Sequence, residues 1–181
     1  TWTLEGPQGV VVDSRYFEYD YFYYGSDATL NLIPGNYLLT IDGVSGATGA
    51  YSFRMLNLAS ATALTPGAAT NGTLNPASET DTYRFTGNSG DRFFFVTQTV
   101  TPQNAYWRLL DPLGRTVFST YLGYDSEPAA FTRTGTYTIL IEGYFYDVGT
   151  TDYAFQIQKV DPEPADSRLS SAAIAENQPA A

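Results

Sequence analysis

Two stretches of this 181-residue chain are the same passage written twice. Trp2-Thr3-Leu4-Glu5-Gly6-Pro7-Gln8-Gly9 returns 105 positions later as Trp107-Arg108-Leu109-Leu110-Asp111-Pro112-Leu113-Gly114. Gly35-Asn36-Tyr37-Leu38-Leu39-Thr40-Ile41-Asp42-Gly43 returns at an offset of 100 as Gly135-Thr136-Tyr137-Thr138-Ile139-Leu140-Ile141-Glu142-Gly143. Tyr51-Ser52-Phe53 answers to Tyr153-Ala154-Phe155, at an offset of 102. The offset changes only between the matched passages, so strand-like segments are kept and loops vary in length. A repeat period of roughly 100 residues limits the chain to one complete unit and the back half of another. The organisation expected is a partial repeat over 1–57, a complete one over 58–160, and a linker with the start of a following module or a donor strand over 161–181.

Within each copy, apolar residues alternate between clusters of Gly, Pro, Asn and Asp, the period of a half-buried strand. Tyr37-Leu39-Ile41 and Tyr137-Ile139-Ile141 each place one face inward, and Tyr51-Phe53-Met55 and Tyr153-Phe155-Ile157 are read as the next strand. Thr82-Tyr83-Arg84-Phe85 and Arg92-Phe93-Phe94-Phe95-Val96 supply two more. Pro7-x-Gly9 and Pro112-x-Gly114 have the chemistry of tight turns, with Pro presetting φ and Gly accepting φ > 0, so each is expected to close a hairpin. The fold class is all-β: an antiparallel, jelly-roll-like β-sandwich present as one and a half tandem repeats.

Composition removes several functions. Cysteine and histidine are both absent, which excludes disulfides, Cys₄ zinc sites, His-ligated metals and Ser-His-Asp or Cys-His catalysis. The formal charge of −10, with Lys159 the single lysine, opposes a phosphate backbone and argues against nucleic acid as a partner. No apolar run has the length of a membrane-spanning helix. The opening residues carry no signal-peptide pattern and read as an internal stretch of a longer protein. Few lysines with abundant Thr, Ser, Gly, Asn and Tyr is a composition associated with bacterial surface and secreted proteins.

A set of short motifs runs through 58–158 in order. Ala63-Leu64 leads to Gly72-Thr73-Leu74, then Asp81-Thr82-Tyr83-Arg84-Phe85 and Gly90-Asp91-Arg92-Phe93. After these come Leu109-Leu110-Asp111-Pro112-Leu113-Gly114, Gly135-Thr136-Tyr137-Thr138-Ile139 and Tyr153-Ala154-Phe155. This series resembles the bacterial pre-peptidase C-terminal domain, a β-sandwich found beside secreted proteases and in large surface proteins; residues 2–56 resemble only its second half. Ile174-Ala175-Glu176-Asn177-Gln178-Pro179-Ala180 resembles the first strand of a cadherin-like repeat. The resemblance implies a two-sheet sandwich without catalytic residues. Some members of the family bind collagen, or bind calcium near their N-terminal edge, where this chain has Asn57-Leu58-Ala59-Ser60-Ala61-Thr62 in place of their acidic lead-in.

The densest aromatic run is Tyr16-Phe17-Glu18-Tyr19-Asp20-Tyr21-Phe22-Tyr23-Tyr24. On a strand, Phe17, Tyr19, Tyr21 and Tyr23 share one face, as a stacking platform for a sugar or protein or as sheet core. Tyr144-Phe145-Tyr146 forms a second cluster in a loop. The candidate contacts are therefore Tyr19, Tyr21, Tyr23, Tyr144 and Tyr146. Tyr121, Tyr124 and Asp125 answer to Tyr16, Tyr19 and Asp20, and that sharing marks them as structural. Asp20 with Asp27, Asp125 with Glu127, and Asp147 with Asp152 are the acid pairs nearest to a calcium set, but none forms a known loop motif; no catalytic, cofactor or metal residue is assigned. Asp81 and Asp111 are read as turn caps, and Asn71-Gly72 as a turn.

A half sandwich would expose Leu39, Ile41 and Phe53 together with open strand edges. Upstream sequence, the complete module of the same chain, or a strand from another chain, with the tail beyond Pro164 as a donor, would each resolve this. The function expected is a non-catalytic structural or adhesive repeat of a large extracellular bacterial surface or secreted protein, self-assembling in one version by strand complementation. Its partners would be other copies, neighbouring modules or a surface glycan or protein. The alternative is an accessory module binding carbohydrate or a protein fibre for a secreted enzyme.

Overall fold

The computed structural model describes residues 1–17, 29–102 and 104–160, the side chain of Glu127 excepted. Tyr19, Tyr21, Tyr23, the pair Asp20 and Asp27, and the tail 161–181 lie outside the described residues. The chain is all-β, and the only helical segments among the described residues are single 3₁₀ turns, such as those at Val44–Gly46 and Leu58–Ser60.

The first copy contributes β1 (Trp2–Gly6), β2 (Gly9–Arg15) and β3 (Leu38–Ile41), which form a three-stranded sheet in the order β2-β1-β3. The second copy begins with β4 (Thr62–Ala63), β5 (Ala69–Leu74), β6 (Thr80–Gly87) and β7 (Arg92–Thr101). It continues with β8 (Tyr106–Leu110), β9 (Thr116–Tyr121), β10 (Ser126–Ala130), β11 (Gly135–Glu142) and β12 (Thr151–Val160). These strands build a five-stranded sheet, β4-β6-β11-β8-β9, and a four-stranded sheet, β10-β7-β12-β5. Pairing is antiparallel throughout except for the short β4 beside β6.

The repeat in sequence is a repeat in structure. β1 pairs with β3 as Trp2↔Ile41 and Leu4↔Leu39, and β8 pairs with β11 as Trp107↔Ile141 and Leu109↔Ile139. Both Pro-x-Gly segments close hairpins, β1–β2 and β8–β9, and each hairpin carries a bulge. Tyr37 donates its hydroxyl to the Ile33 carbonyl at 2.7 Å, and Tyr137 donates to that of Arg133 at 2.8 Å, the same four-residue reach. Gly35 and Gly135 have φ of +155° and +153°. A Cβ would run into Pro7 at the first and Pro112 at the second, so the turn proline and the strand-opening glycine are one packed unit in both copies.

In the complete copy the alternation closes a core. Tyr83, Phe85, Trp107, Leu109, Tyr137, Ile139 and Ile141 from one sheet meet Phe93, Phe95, Tyr153, Phe155 and Ile157 from the other. The rings meet largely edge to face, as in Phe95 on Trp107 at 5.9 Å and Tyr83 on Phe155 at 5.5 Å, the geometry the ring quadrupole favours. The hydroxyl ends also bridge the sheets: Tyr83 meets Tyr153 at 2.6 Å, and Tyr153 donates to Asp81 at 2.6 Å.

Three sequence expectations are corrected here. Asn71-Gly72 lies inside β5, opposite Tyr153 and Ala154, because the Tyr153 ring crosses the strand where a Cβ on Gly72 would stand. Asp81 is no turn cap; it accepts from Tyr153, whereas Asp111 does cap its turn, receiving the Leu113 and Arg115 amides. Tyr51-Phe53-Met55 forms no strand and is exposed, Met55 to 70%. Its counterpart β12 is held between β5 and β7, and the described residues of the first copy include no equivalent of either. A period-two pattern without a neighbour to bond to does not make a strand.

Candidate functional site

The outer face of the five-stranded sheet carries residues that a solvated sheet face would not. Alternation along β8 points Trp107 and Leu109 into the core, which turns Tyr106, Arg108 and Leu110 outward, and along β11 it turns Thr138, Leu140 and Glu142 outward. All six are nevertheless buried. Two different covers account for this.

Over most of the face the cover is the first copy. Trp2, Leu4, Leu39 and Ile41, the counterparts of core residues Trp107, Leu109, Ile139 and Ile141, line a cavity of about 1010 Å³ whose opposite wall includes Leu110, Thr138, Leu140 and Glu142. Leu39 and Ile41 are half-buried there rather than bare. The two copies are tied by Asn31, which donates to the Leu113 carbonyl at 3.4 Å, and by the Arg54–Glu79 ion pair at 3.4 Å. Beneath lies a buried, two-pronged ion pair, Arg108 Nε to Glu142 Oε2 at 3.1 Å and Nη2 to Oε1 at 3.4 Å. Burial pushes the Glu142 carboxyl above its ordinary range, against the pull of Arg108.

At the other end the cover is aromatic. Tyr106 is buried under Tyr121, with centroids 4.1 Å apart, and under Tyr144 at 5.0 Å, whose hydroxyl it meets in a hydrogen bond. Tyr144 stacks on Tyr146 at 5.0 Å and 15°, Phe145 meets Tyr146 edge-on, and Tyr124 meets Tyr121 in the same way at 6.1 Å. The outer members of this cluster face solvent, with Tyr124, Tyr146 and Phe145 exposed to 66%, 59% and 55%. Burial raises the Tyr106 and Tyr144 hydroxyls above the ordinary phenol range, and bonding from those two holds that of Tyr121 below it.

Both loops that carry the rings are pinned. In the 121–125 turn, Leu122 is fully buried, its amide bonds to the Ala105 carbonyl, and its carbonyl accepts the Thr97 hydroxyl from the opposite sheet. Asp125 accepts the Thr97 amide at 2.9 Å. In the 143–149 loop, Asp147 accepts the Tyr144 amide at 3.2 Å, and the Ala77 amide bonds to the Gly149 carbonyl at 2.7 Å. Rings held this way lose little conformational entropy when a partner covers them.

The structure brings together two of the five candidate contacts, Tyr144 and Tyr146. It joins them to Tyr121 and Tyr124, which the shared repeat position marked as structural: Tyr121 packs on Tyr106, and Tyr124 meets Tyr121 edge-on with most of its surface exposed. The spacing of aromatics three apart just past a strand end was the available signal, and the shared position in the first copy masked it. The described acids of the three pairs have structural partners. Asp125 ties its turn to the Thr97 amide on β7, Asp147 closes its own turn on the Tyr144 amide, and Asp152 accepts the Thr73 hydroxyl at 2.6 Å. Among the described residues no three acidic side chains converge in a metal-holding group, and no helix is long and apolar enough to cross a membrane.

No protein-family model matches this sequence, and no curated protein matches it. Among solved structures the chain is similar to two periplasmic inhibitors of g-type lysozyme. The Aeromonas hydrophila protein PliG aligns with a TM-score of 0.48 at 11% identity, over 55% of this chain and 96% of its own. The Salmonella Typhimurium PliG aligns with a TM-score of 0.38 at 14% identity, over 55% of this chain and 97% of its own.

Proposed function

We propose that this chain is a non-catalytic adhesive module of an extracellular bacterial protein, making its contacts through the tyrosine cluster at the loop end of the five-stranded sheet. The observation that carries the reading is the pinned, solvent-facing group Tyr121, Tyr124, Tyr144, Phe145 and Tyr146 on a rigid sandwich. Tyrosine offers a large apolar face with a polar rim, the combination that dominates recognition surfaces. The absence of histidine and cysteine, and the local use of the acids near the cluster, support a binding role over a chemical one. The Lys-poor, acidic composition, and the series of motifs that resembles the pre-peptidase C-terminal domain, support the extracellular setting.

The test uses the exposed rings, which can be removed without opening the core. The whole chain and its Tyr124→Ala/Tyr146→Ala variant are compared for self-association by sedimentation velocity, and for retention on immobilised surface proteins and on a glycan array. A contact that weakens at least tenfold in the variant at unchanged melting temperature supports the reading. Selective retention on glycans alone moves the assignment to a carbohydrate-binding accessory module. Equal behaviour of both proteins in every assay removes the cluster from the function.

A further inference from the structure

We propose that the outer edge of β3 is an acceptor for a β-strand of the β6 type, supplied by another polypeptide segment. The argument starts from the two returning strands. β11 is paired on both sides, with β8 on one and with β6 along its whole length on the other, Gly135↔Gly87 through Glu142↔Thr80. β3 has the same partner on the first side, β1 in the same register, and among the described residues no strand on the second. A central-type strand left at an edge presents a row of unladdered amides and carbonyls, which favours strand addition.

The second observation is independent of the edge. Tyr51, Phe53, Met55 and Leu56 stand exposed where the complete copy has β12, a strand made by its two neighbours β5 and β7. Among the described residues, then, neither the returning strand of the first copy nor the segment that follows it has the partners of its counterpart. Both gaps have the shape of the same piece, the front half of a repeat.

The complete copy also supplies the chemistry and the register of the occupant. β6 reads Thr80-Asp81-Thr82-Tyr83-Arg84-Phe85-Thr86-Gly87, with Phe85 opposite Tyr137, Tyr83 opposite Ile139 and Asp81 opposite Ile141. At the repeat offset, an incoming strand sets Phe opposite Tyr37, Tyr opposite Leu39 and Asp opposite Ile41. Leu39 and Ile41 line the cavity of about 1010 Å³. The inward side chains of the added strand enter beside them, where an unfilled apolar wall is unfavourable.

The experiment adds a peptide of the sequence Thr-Asp-Thr-Tyr-Arg-Phe-Thr-Gly to the whole chain and follows hydrogen exchange at each amide. In the free protein, the Leu39 and Ile41 amides, which face away from β1, are expected to exchange at least tenfold faster than those of Ile139 and Ile141. Excess peptide is expected to slow exchange at Leu39 and Ile41 at least tenfold, and neither a scrambled peptide nor one N-methylated on alternate residues does so. Slow exchange at Leu39 and Ile41 in the free protein means that the edge is already occupied and overturns the proposal. So does equal protection by the N-methylated peptide, protection confined to another site, or no protection at millimolar peptide. The tyrosine cluster plays no part in this readout, so its outcome is separate from that of the function proposed above.

Discussion

The two copies share a hairpin, a returning strand and the register between them, yet one copy encloses a core and the other leans on its neighbour. Trp107 and Trp2 occupy the same position on β8 and β1, each opposite an isoleucine of the returning strand, Ile141 and Ile41 respectively. Trp107 has no exposed surface because a second sheet lies over it, whereas Trp2 is half-buried against a cavity. Identical local chemistry thus gives different energetics according to what faces it, because hydrophobic stabilisation follows the area removed from water and the fit of the opposing wall. The largest expected contrast follows. Trp107→Ala should cost about 3–5 kcal/mol, as for other large-to-small changes in packed cores, while Trp2→Ala should cost about 1 kcal/mol, since Trp2 is only partly buried and faces a cavity where Trp107 faces a packed sheet. Urea unfolding with fluorescence detection measures both. Equal losses would mean that the first copy is packed as tightly as the second.

The outer face of the sheet provides the next contrast. Glu142 and Asp42 occupy equivalent ends of β11 and β3, but Glu142 is buried against Arg108 and Asp42 is exposed. Removing one partner of a buried pair strands the other charge, so Arg108→Met is expected to cost about 3 kcal/mol at neutral pH, whereas Asp42→Asn should stay within about 0.5 kcal/mol. The pH dependence has a definite sign. Burial already raises the Glu142 carboxyl, and loss of Arg108 raises it further. A folded-state value above the unfolded one makes the ionised form the costly one, so the variant should regain stability as pH falls toward about 4.5, where the unfolded chain also protonates. A deficit that stays constant from pH 7 to pH 4.5 would show that packing, and not the stranded carboxylate, causes the loss.

How far the sequence discloses this molecule depends on whether an element is specified locally. Trp-x-Leu, Pro-x-Gly and Gly-x-Tyr each combine a strand period with a turn that only a few residues permit, so β1, β3, β8 and β11 are legible along with their hairpins. Tyr51-Phe53-Met55 has the same period as Tyr153-Phe155-Ile157 but no strand beside it, and pairing is a property of two segments that neither contains alone. Asn71-Gly72 has the chemistry of a turn, yet the glycine is there so that the Tyr153 ring can pass over it, a requirement set 81 residues away. Part of the tyrosine cluster was legible in Tyr144 and Tyr146. Tyr121 and Tyr124 were hidden by the repeat itself, because a position shared between copies reads as scaffold even when one of its side chains points into solvent.

The finest comparison is the tyrosine that each returning strand carries at its start. Tyr37 and Tyr137 both donate to the carbonyl four residues back, at 2.7 and 2.8 Å. The bond is the same, so deleting the hydroxyl removes about 1 kcal/mol of local interaction in either copy. The rings differ. Tyr137 is stacked on Phe131 at 3.8 Å inside the closed core, and Tyr37 covers Gly6 at the surface of the three-stranded sheet. In Tyr137→Phe the loop carbonyl of Arg133 loses its partner at the edge of a cooperative unit, so the loss of about 1 kcal/mol should appear in the global unfolding free energy. In Tyr37→Phe the same loss should be confined to the first copy. Amide exchange would quicken around 33–41 while the exchange of the slowest core amides in β7, β11 and β12 stays as it is. If Tyr37→Phe lowers the protection of those core strands as much as Tyr137→Phe does, the three-stranded sheet unfolds together with the sandwich, and the cavity between them does not divide the chain into separately opening units.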